Sequence, residues 1–534
     1  MTKAISAAQA AALIKDGDTV AFSGFGLACV NQEVIAALEE RWVAGQGPRG
    51  LTIVNSSAVG ARGKREGLGK LSYEGLVKRW IGGIMSASPA LGQLAADNKL
   101  ECYNLPQGVM TALYREIAAH RPGVVTKVGL GTFVDPRIEG AKVNDVTTED
   151  LVSLIELDGE EYLYYRGFPI DVGLIRGTYA DEMGNLTMEH EGLKMEILPI
   201  AQAVHNSGGI VIAQAKAVVA TGTLDPNLVR VPGNLIDYIV VSEPENHMQT
   251  EYTQYNPAFS GQIKVPASNV APLPLTIRKV MARRAAMEIR PGQAMNLGVG
   301  VPADVGIVLA EEGVSDYALL TTEAGAVGGT PADDKNFGHA YNVLAQVGMH
   351  EQFDYYDGGG RRAHCCEFDG PSRLYPFESQ VNGTGRESGP GELVSPILQF
   401  DALARSEPSK TCIVVDSFSY TRAQILEAAD ALAAGLAASG VGQGDRIAII
   451  RRNAPIHMIA LLAASRIGAV LLPLNFRLSS VECQAIIDDA GCAAVLCGPR
   501  FARQFDEELD LSPEILWIVD DIDPSIEPPE DDSL

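Results

Sequence analysis

Apolar residues over the first 270 positions fall into short runs, separated by stretches of helical period and by turn residues. Thr19-Val-Ala-Phe22 is one such run, and it ends at Ser23-Gly24-Phe25-Gly26. The stretch that follows places Val34, Ile35 and Leu38 on one face with acids after it, which predicts a helix. Leu51-Thr-Ile-Val54, Gly209-Ile-Val-Ile212 and Tyr238-Ile-Val-Val241 predict further strands. Asp181-Glu-Met-Gly-Asn185 is a turn signal, and the Pro-rich run from Val265 to Pro274 reads as a linker. Strands alternating with helices predict a layered α/β architecture.

The opening pattern then returns. Ile14-Lys-Asp-Gly17, Gly24-x-Gly26 and Leu38-Glu-Glu describe the start. Ile289-Arg-Pro-Gly292, Gly298-x-Gly300 and Leu309-Ala-Glu-Glu312 repeat it at nearly the same spacing. Two related α/β domains in tandem are expected, over 1–270 and 271–360, with the second shorter than the first. Residues 361–394 read as a linker, because Gly383-Thr-Gly-Arg-Glu-Ser-Gly-Pro-Gly391 has flexible composition. A third unit occupies 395–534. It has an Ala-rich helix from Arg422 to Ser439, a turn at Gly442-Gln-Gly-Asp445, a buried strand Arg446-Ile-Ala-Ile-Ile450, another helix and a strand at Val470-Leu-Leu472. That order is a βαβ pattern of parallel-sheet type.

Composition narrows the function classes. The 534 residues are 46% hydrophobic and 20% charged, which excludes a coiled coil, a collagen and a largely disordered chain. The formal charge of −25 predicts no nucleic-acid partner and no anionic membrane surface. Twelve acids and no Lys or Arg lie between Asp506 and Leu534, so the end reads as a frayed acidic tail. Eight cysteines without a C-x-x-C pair read as reduced thiols of a cytoplasmic protein. The most apolar stretch, from Ile456 to Leu474, carries His457, Arg466 and a Pro, so no membrane span is expected.

Glu323 is the strongest candidate for chemistry. Tyr317-Ala-Leu-Leu-Thr-Thr322 reads as a strand that delivers it, and Ala324-Gly325-Ala-Val-Gly328-Gly329-Thr-Pro331 follows as a glycine-rich loop. Open α/β sheets place reactive groups at such strand ends. An untuned carboxylate there is ionised at neutral pH and can act as a nucleophile. Gly328 and Gly329 would let backbone N–H groups approach a substrate oxyanion. A solvated loop glutamate is the alternative. Gly24, Gly26, Gly298 and Gly300 sit between a strand and a helix, where they could face the phosphates of a coenzyme or simply make tight turns. Neither pair completes G-x-G-x-x-G, which disfavours a nicotinamide site. Gln107 follows a short strand in Asn104-Leu-Pro-Gln107, where its amide could donate to a carbonyl or serve structure alone. His364-Cys365-Cys366-Glu367 lacks a second ligand pair at zinc spacing, so no metal site is expected. Arg278, Lys279, Arg283, Arg284 and Arg290 read as a solvated face, with an anionic partner as the alternative.

Longer stretches carry a resemblance. Glu74-Gly-Leu-Val-Lys-Arg-Trp-Ile-Gly-Gly, Tyr103-Asn-Leu-Pro-Gln-Gly, Val128-Gly-Leu-Gly-Thr-Phe-Val-Asp-Pro-Arg137 and Phe168-Pro-Ile-Asp-Val-Gly-Leu-Ile-Arg-Gly-Thr-Tyr resemble class I CoA-transferases of the acetate/propionate subgroup. Thr322-Glu323-Ala-Gly, Gly328-Gly-Thr-Pro and Phe353-Asp-Tyr-Tyr-Asp-Gly-Gly-Gly360 extend it to residue 360. From about 395, Phe418-Ser-Tyr-Thr, Gly442-Gln-Gly-Asp-Arg-Ile-Ala-Ile, Asn453-Ala-Pro and Gly468-Ala-Val-Leu-Leu-Pro-Leu-Asn475 resemble the opening, Rossmann-like subdomain of adenylate-forming acyl-CoA synthetases. The phosphate loop, the Tyr-Gly-x-Thr-Glu segment and the catalytic lysine of that second family are not in this sequence, so the resemblance implies no ligase activity.

The resemblance implies that Glu323 is the family's catalytic glutamate and that Gln107 lies near the reacting acyl group. It implies ping-pong transfer of CoA between a short-chain acyl-CoA and a carboxylic acid through a glutamyl-CoA thioester. CoA is then a substrate, no metal or redox cofactor is needed, and self-association is expected. The transferase family continues beyond Tyr-Asp-Gly-Gly-Gly with a further glycine loop that this chain lacks. The alternative reading is therefore an inactive fusion of two acyl-CoA enzymes that at most binds CoA; a ligase comes third.

Overall fold

The computed structural model describes residues 3–61, 63–266, 272–351, 396–415, 418–451, 454–475, 478, 480–498 and 515–519. The chain divides into two compact units, 1–371 and 372–534. Phe353 to Gly360, His364 to Glu367, the 383–391 glycine run and most of the acidic tail lie outside the described residues.

The first unit is built on seven parallel strands. In chain order they are β1 (Thr19–Phe22), β2 (Leu51–Asn55), β3 (Val77–Gly82), β4 (Glu101–Asn104), β5 (Val172–Arg176), β6 (Ile210–Ala215) and β7 (Tyr238–Val241). Their spatial order is β7-β6-β5-β1-β2-β3-β4. Successive side chains alternate between the two faces. Val20, Phe22, Ile53, Trp80 and Leu174 join one buried cluster, with Val34, Ile35 and Leu38 of helix α1 (Gln32–Val43). Ala21, Val54, Ile81 and Ile175 join the other, with α2 (Gln107–Ala118) and α3 (Ile197–Asn206). Both faces are covered, and most strand positions are accordingly apolar.

A mixed four-stranded sheet and an antiparallel three-stranded sheet decorate this core. The antiparallel sheet pairs Val152–Leu157 with Glu160–Arg166, and Glu160–Arg166 with Gly123–Thr126. The first hairpin turns at Asp158 and Gly159, both with positive φ. That turn type matches the twist of a tight hairpin.

The repeated opening appears as two strand-to-helix units. In the second, β8 (Gln293–Leu297) leads through Gly298-Val-Gly300 directly into α5 (Val301–Glu311), and β9 (Ala318–Thr322) pairs parallel to β8. Helix α4 (Ile277–Ala286) packs on α5. The basic residues of α4 meet acids there: Arg278 with Asp304 at 2.9 Å, Lys279 with Glu311 at 2.5 Å and Arg283 with Glu312 at 2.7 Å. Arg278, Arg283, Arg284 and Arg290 stay exposed, so the basic face is solvated as expected, with three of its bases ion-paired to α5. The expected Pro-rich linker is anchored where it begins. Val265 N–H donates to Asn342 Oδ1 at 2.8 Å and Asn342 Nδ2 donates back to Val265 O at 2.7 Å.

The second unit carries a parallel sheet of Val470–Leu474, Arg446–Ile450, Cys492–Cys497 and Leu516–Val519, in that order. Helix Arg422–Ala438 starts at a capping box of Thr421 and Gln424, and helix Ile456–Ile467 stops at Gly468 in the left-handed region. This is the βαβ unit expected from the sequence.

Candidate active site

In an open parallel sheet, ligands collect at the carboxyl ends of the strands, near the point where strand order reverses. Here that point lies between β1 and β5. The loop after β1 is tightly held. Phe25 and Ala28 exchange backbone hydrogen bonds at 3.0 and 2.9 Å, Gly26 N–H donates to Ala58 O at 2.7 Å, and Gly60 N–H donates to Gly26 O at 2.8 Å. Gly24 has φ +134°, and a Cβ there would come 2.4 Å from Val30 Cγ2. Gly24-Phe25-Gly26 is therefore a tight turn, and the Phe25 and Gly26 amides are committed to protein carbonyls.

A cleft of about 280 Å³ opens above this turn. Phe25, Gly26, Ala58 and Ile84 bound it from the seven-stranded sheet, and Thr250, Glu251 and Tyr252 from the segment after β7. Val299, Glu323, Lys335, Phe337 and His339 close it from the second half of the unit. Glu323 follows β9 directly, at the end of a parallel strand as the sequence predicts. It is half-buried, and burial raises its carboxyl above the ordinary glutamate value. The untuned carboxylate expected from sequence is thus a desolvated one, which is a stronger nucleophile once ionised.

The glycines divide. Gly26 borders the cleft, and Val299 brings the Gly298-Val-Gly300 turn to it. Gly300 has φ +91° and precedes α5. Gly328 and Gly329 do not border the cleft. Gly328 N–H donates to Leu320 O at 2.7 Å, and a Cβ at Gly329 would meet Tyr341 O at 2.2 Å. They link the short strand Ala326–Val327 to Thr330–Pro331 instead of facing a substrate, because the chain folds back through Glu323–Gly325.

Gln107 opens α2 beyond β4, and its Nε2 donates to Met349 Sδ at 3.5 Å. It stands one layer from the cleft: a Cβ on Gly83 would lie 3.2 Å from Gln107 Cα, and the next residue, Ile84, borders the opening.

Sequence reasoning missed three groups. His339 is buried at the cleft wall and packs tilted against Phe259, with ring centroids 5.2 Å apart. Burial pushes its pKa down to about 4, so the ring is neutral. Arg176, Glu191 and His247 form a buried network behind the β1 turn. Arg176 Nη2 meets Glu191 Oε2 at 2.6 Å, Arg176 Nη1 donates to Leu27 O at 3.1 Å, and His247 Nε2 meets Glu191 Oε1 at 2.9 Å. Glu196 is buried against Ser56. No local pattern marks these residues, since their partners are distant in sequence. Among the described residues no cluster of His, Cys, Asp and Glu could hold a metal ion.

Comparison with known proteins decides among the readings. Residues 4–242 match the family described as Coenzyme A transferase, and residues 400–532 match that described as AMP-binding enzyme. The caffeate CoA-transferase of Acetobacterium woodii is 50% identical over 400 residues, covering 74% of this chain and 76% of that one. The chain belongs to the coenzyme A transferase family. The acetate CoA-transferase YdiF of Escherichia coli (strain K12) is 40% identical over 387 residues, covering 71% of this chain and 72% of that one. The crystal structure of the YdiF apoenzyme from Escherichia coli O157:H7 matches with a TM-score of 0.62 at 40% identity, over 67% of each chain. Neither an inactive remnant nor a ligase is favoured by these likenesses. For this CoA-transferase, the AMP-binding match falls within the second unit. No described helix is long and apolar enough to cross a membrane.

Proposed function

We propose that the Glu323 cleft moves CoA between a short-chain acyl-CoA and a carboxylic acid of the acetate or propionate type. The observation that carries this is Glu323 itself, a desolvated carboxyl at a parallel strand end on a cleft of about 280 Å³. Glu323 Oε attacks the thioester carbonyl carbon, the C–S bond breaks, and CoA leaves as thiolate. The thiolate attacks the glutamyl carbonyl of the resulting anhydride and releases the first acid, leaving a glutamyl-CoA thioester. The acceptor carboxylate attacks that carbonyl and expels the thiolate. The thiolate then takes the new acyl group, and the Glu323 carboxylate is regenerated. Binding energy from the CoA tail, remote from the reaction, lowers the barrier. Gln107 and the turns Gly24–Gly26 and Gly298–Gly300 are assigned to the substrate side. The relatives' names, caffeate and acetate, support a carboxylate acceptor, and Phe25, Phe337 and Tyr252 give the cleft aromatic walls.

In this reading 1–270 and 271–360 are the two transferase domains, 361–394 joins them to the synthetase-like 395–534, and copies of the chain associate in the cytoplasm without nucleic acid or membrane. No metal or redox cofactor takes part. The test is covalent trapping. Protein incubated with acetyl-CoA or propionyl-CoA is reduced with borohydride and mapped by peptide mass spectrometry. A CoA-dependent change at Glu323, absent in Glu323→Gln, is expected; an unmodified Glu323 in folded, substrate-saturated protein refutes the proposal.

A further inference from the structure

Behind Gln107 lies a buried polar set that the chemistry above does not use. Glu196, the residue before α3, is fully buried. Its Oε1 shares a short hydrogen bond with Ser56 Oγ, and its Oε2 has no partner. Ser56 follows β2, and its Oγ also lies 3.9 Å from Met349 Sδ, the atom that Gln107 Nε2 approaches at 3.5 Å. Met349 is tied to the Glu323 turn. Two residues before it, Val347 N–H donates to Gly325 O at 3.0 Å, and Ala324 and Met349 share one packed cluster. A hydroxyl and an amide thus converge on a thioether beside the nucleophile's turn. Sulfur is a weak acceptor; a carbonyl oxygen in its place would hold both donors better.

We propose that Glu196 is a positioning residue for acyl transfer: through Ser56 it sets whether a hydroxyl proton is offered, beside Gln107 Nε2–H, to an acyl oxygen that displaces Met349 Sδ. This rests on the transferase reading of the cleft. The hydroxyl has a single proton. A protonated Glu196 donates to Ser56 Oγ and leaves that proton facing Met349. An ionised Glu196 only accepts, and draws the proton to itself. Burial pushes the Glu196 carboxyl up to about 7, so both forms exist near neutrality. The titratable groups beside it are the Tyr114 hydroxyl and the Cys29 thiol. Burial raises both well above their ordinary values, and both stay neutral across the range in question.

The experiment is kcat against pH for the full chain with acetyl-CoA and propionate. Wild type should show a rising limb as Glu323 ionises, then a falling limb set by a carboxyl near 7, amounting to about 30-fold between pH 6 and 8.5. In Glu196→Gln the carboxamide donates to Ser56 at every pH, so the falling limb should vanish while the rising limb remains. Ser56→Ala should also lose the falling limb, at a rate no higher than that of wild type at high pH, and it serves if Glu196→Gln does not fold. A falling limb that persists unchanged in either folded variant, or none in wild type, overturns the proposal alone. No turnover by folded wild type at any pH overturns the transferase reading with it.

Discussion

Replacing Glu191 by Ala should damage the first unit more than any comparable surface change. Arg176 is 0% exposed and Glu191 2%, with their charged atoms 2.6 Å apart. Burial alone would push the Glu191 carboxyl up, yet Arg176 and His247 beside it together hold it well below the usual range. Removing one member of such a pair strands the other charge in a dry interior, which costs about 3–5 kcal/mol. His247 Nε2 loses its 2.9 Å partner in the same step but keeps Ser242 Oγ at 2.8 Å on Nδ1. Replacing the whole pair, Arg176→Met with Glu191→Leu, leaves no stranded charge. It still orphans the Leu27 and Val30 carbonyls, which Arg176 Nη1 reaches at 3.1 and 3.4 Å. The double variant should therefore be more stable than Glu191→Ala by at least about 1 kcal/mol. Urea unfolding at pH 7 followed through Trp80, which is 1% exposed, reads both values. The pH matters: a depressed carboxyl stabilises fully above its unfolded value of about 4.3, and that contribution is lost only as pH falls toward the folded value. A Glu191→Ala variant within 1 kcal/mol of wild type, or a double variant no better than it, would refute the argument.

Two further outcomes are expected. Gly24→Ala forces a Cβ to 2.4 Å from Val30 Cγ2 and 2.9 Å from Ala28 O, so it should cost about 1–3 kcal/mol and lower kcat/KM by moving Phe25; unchanged denaturation and kinetics would contradict this. His339 is neutral when folded, at about 4 against an ordinary 6.5, so protons favour the unfolded chain between those values. The stability advantage of wild type over His339→Leu should therefore shrink by up to about 1.4 kcal/mol per pH unit as pH falls from 6.5 toward 4. Melting both proteins across that window tests it, and a constant difference would count against a buried neutral ring.

Much of the scaffold is legible because it rests on local pattern. The continuous apolar run Thr19–Phe22 and the helical spacing of Val34, Ile35 and Leu38 each report burial of one element, and both elements form. The Glu156–Glu161 hairpin was equally open to reading, since Asp158-Gly159 between alternating residues is a strong turn signal. The site was only half legible. Glu323 stands out because a strand and glycines flank it. The glycines mislead at 328 and 329, where a composition suited to a substrate loop links two short strands packed on Leu344 and Tyr341. Glu196, Glu191 and His339 look like ordinary residues of polar loops and helix ends. What sets them apart is desolvation by partners far along the chain: Ser56 lies 140 residues from Glu196. Such information exists only after folding.

The pinning of Gly26 between Ala58 O and the Gly60 amide has a consequence for how this site can change over generations. That stretch of the cleft wall is drawn in main-chain atoms, and it depends on the β1–β2 ladder continuing past the end of both strands. Neighbouring side chains can drift without redrawing its outline, so the outline is inherited with the sheet. Novelty in what the cleft accepts then has to come from side chains such as Tyr252 and Phe337, where a substitution changes shape without disturbing the frame.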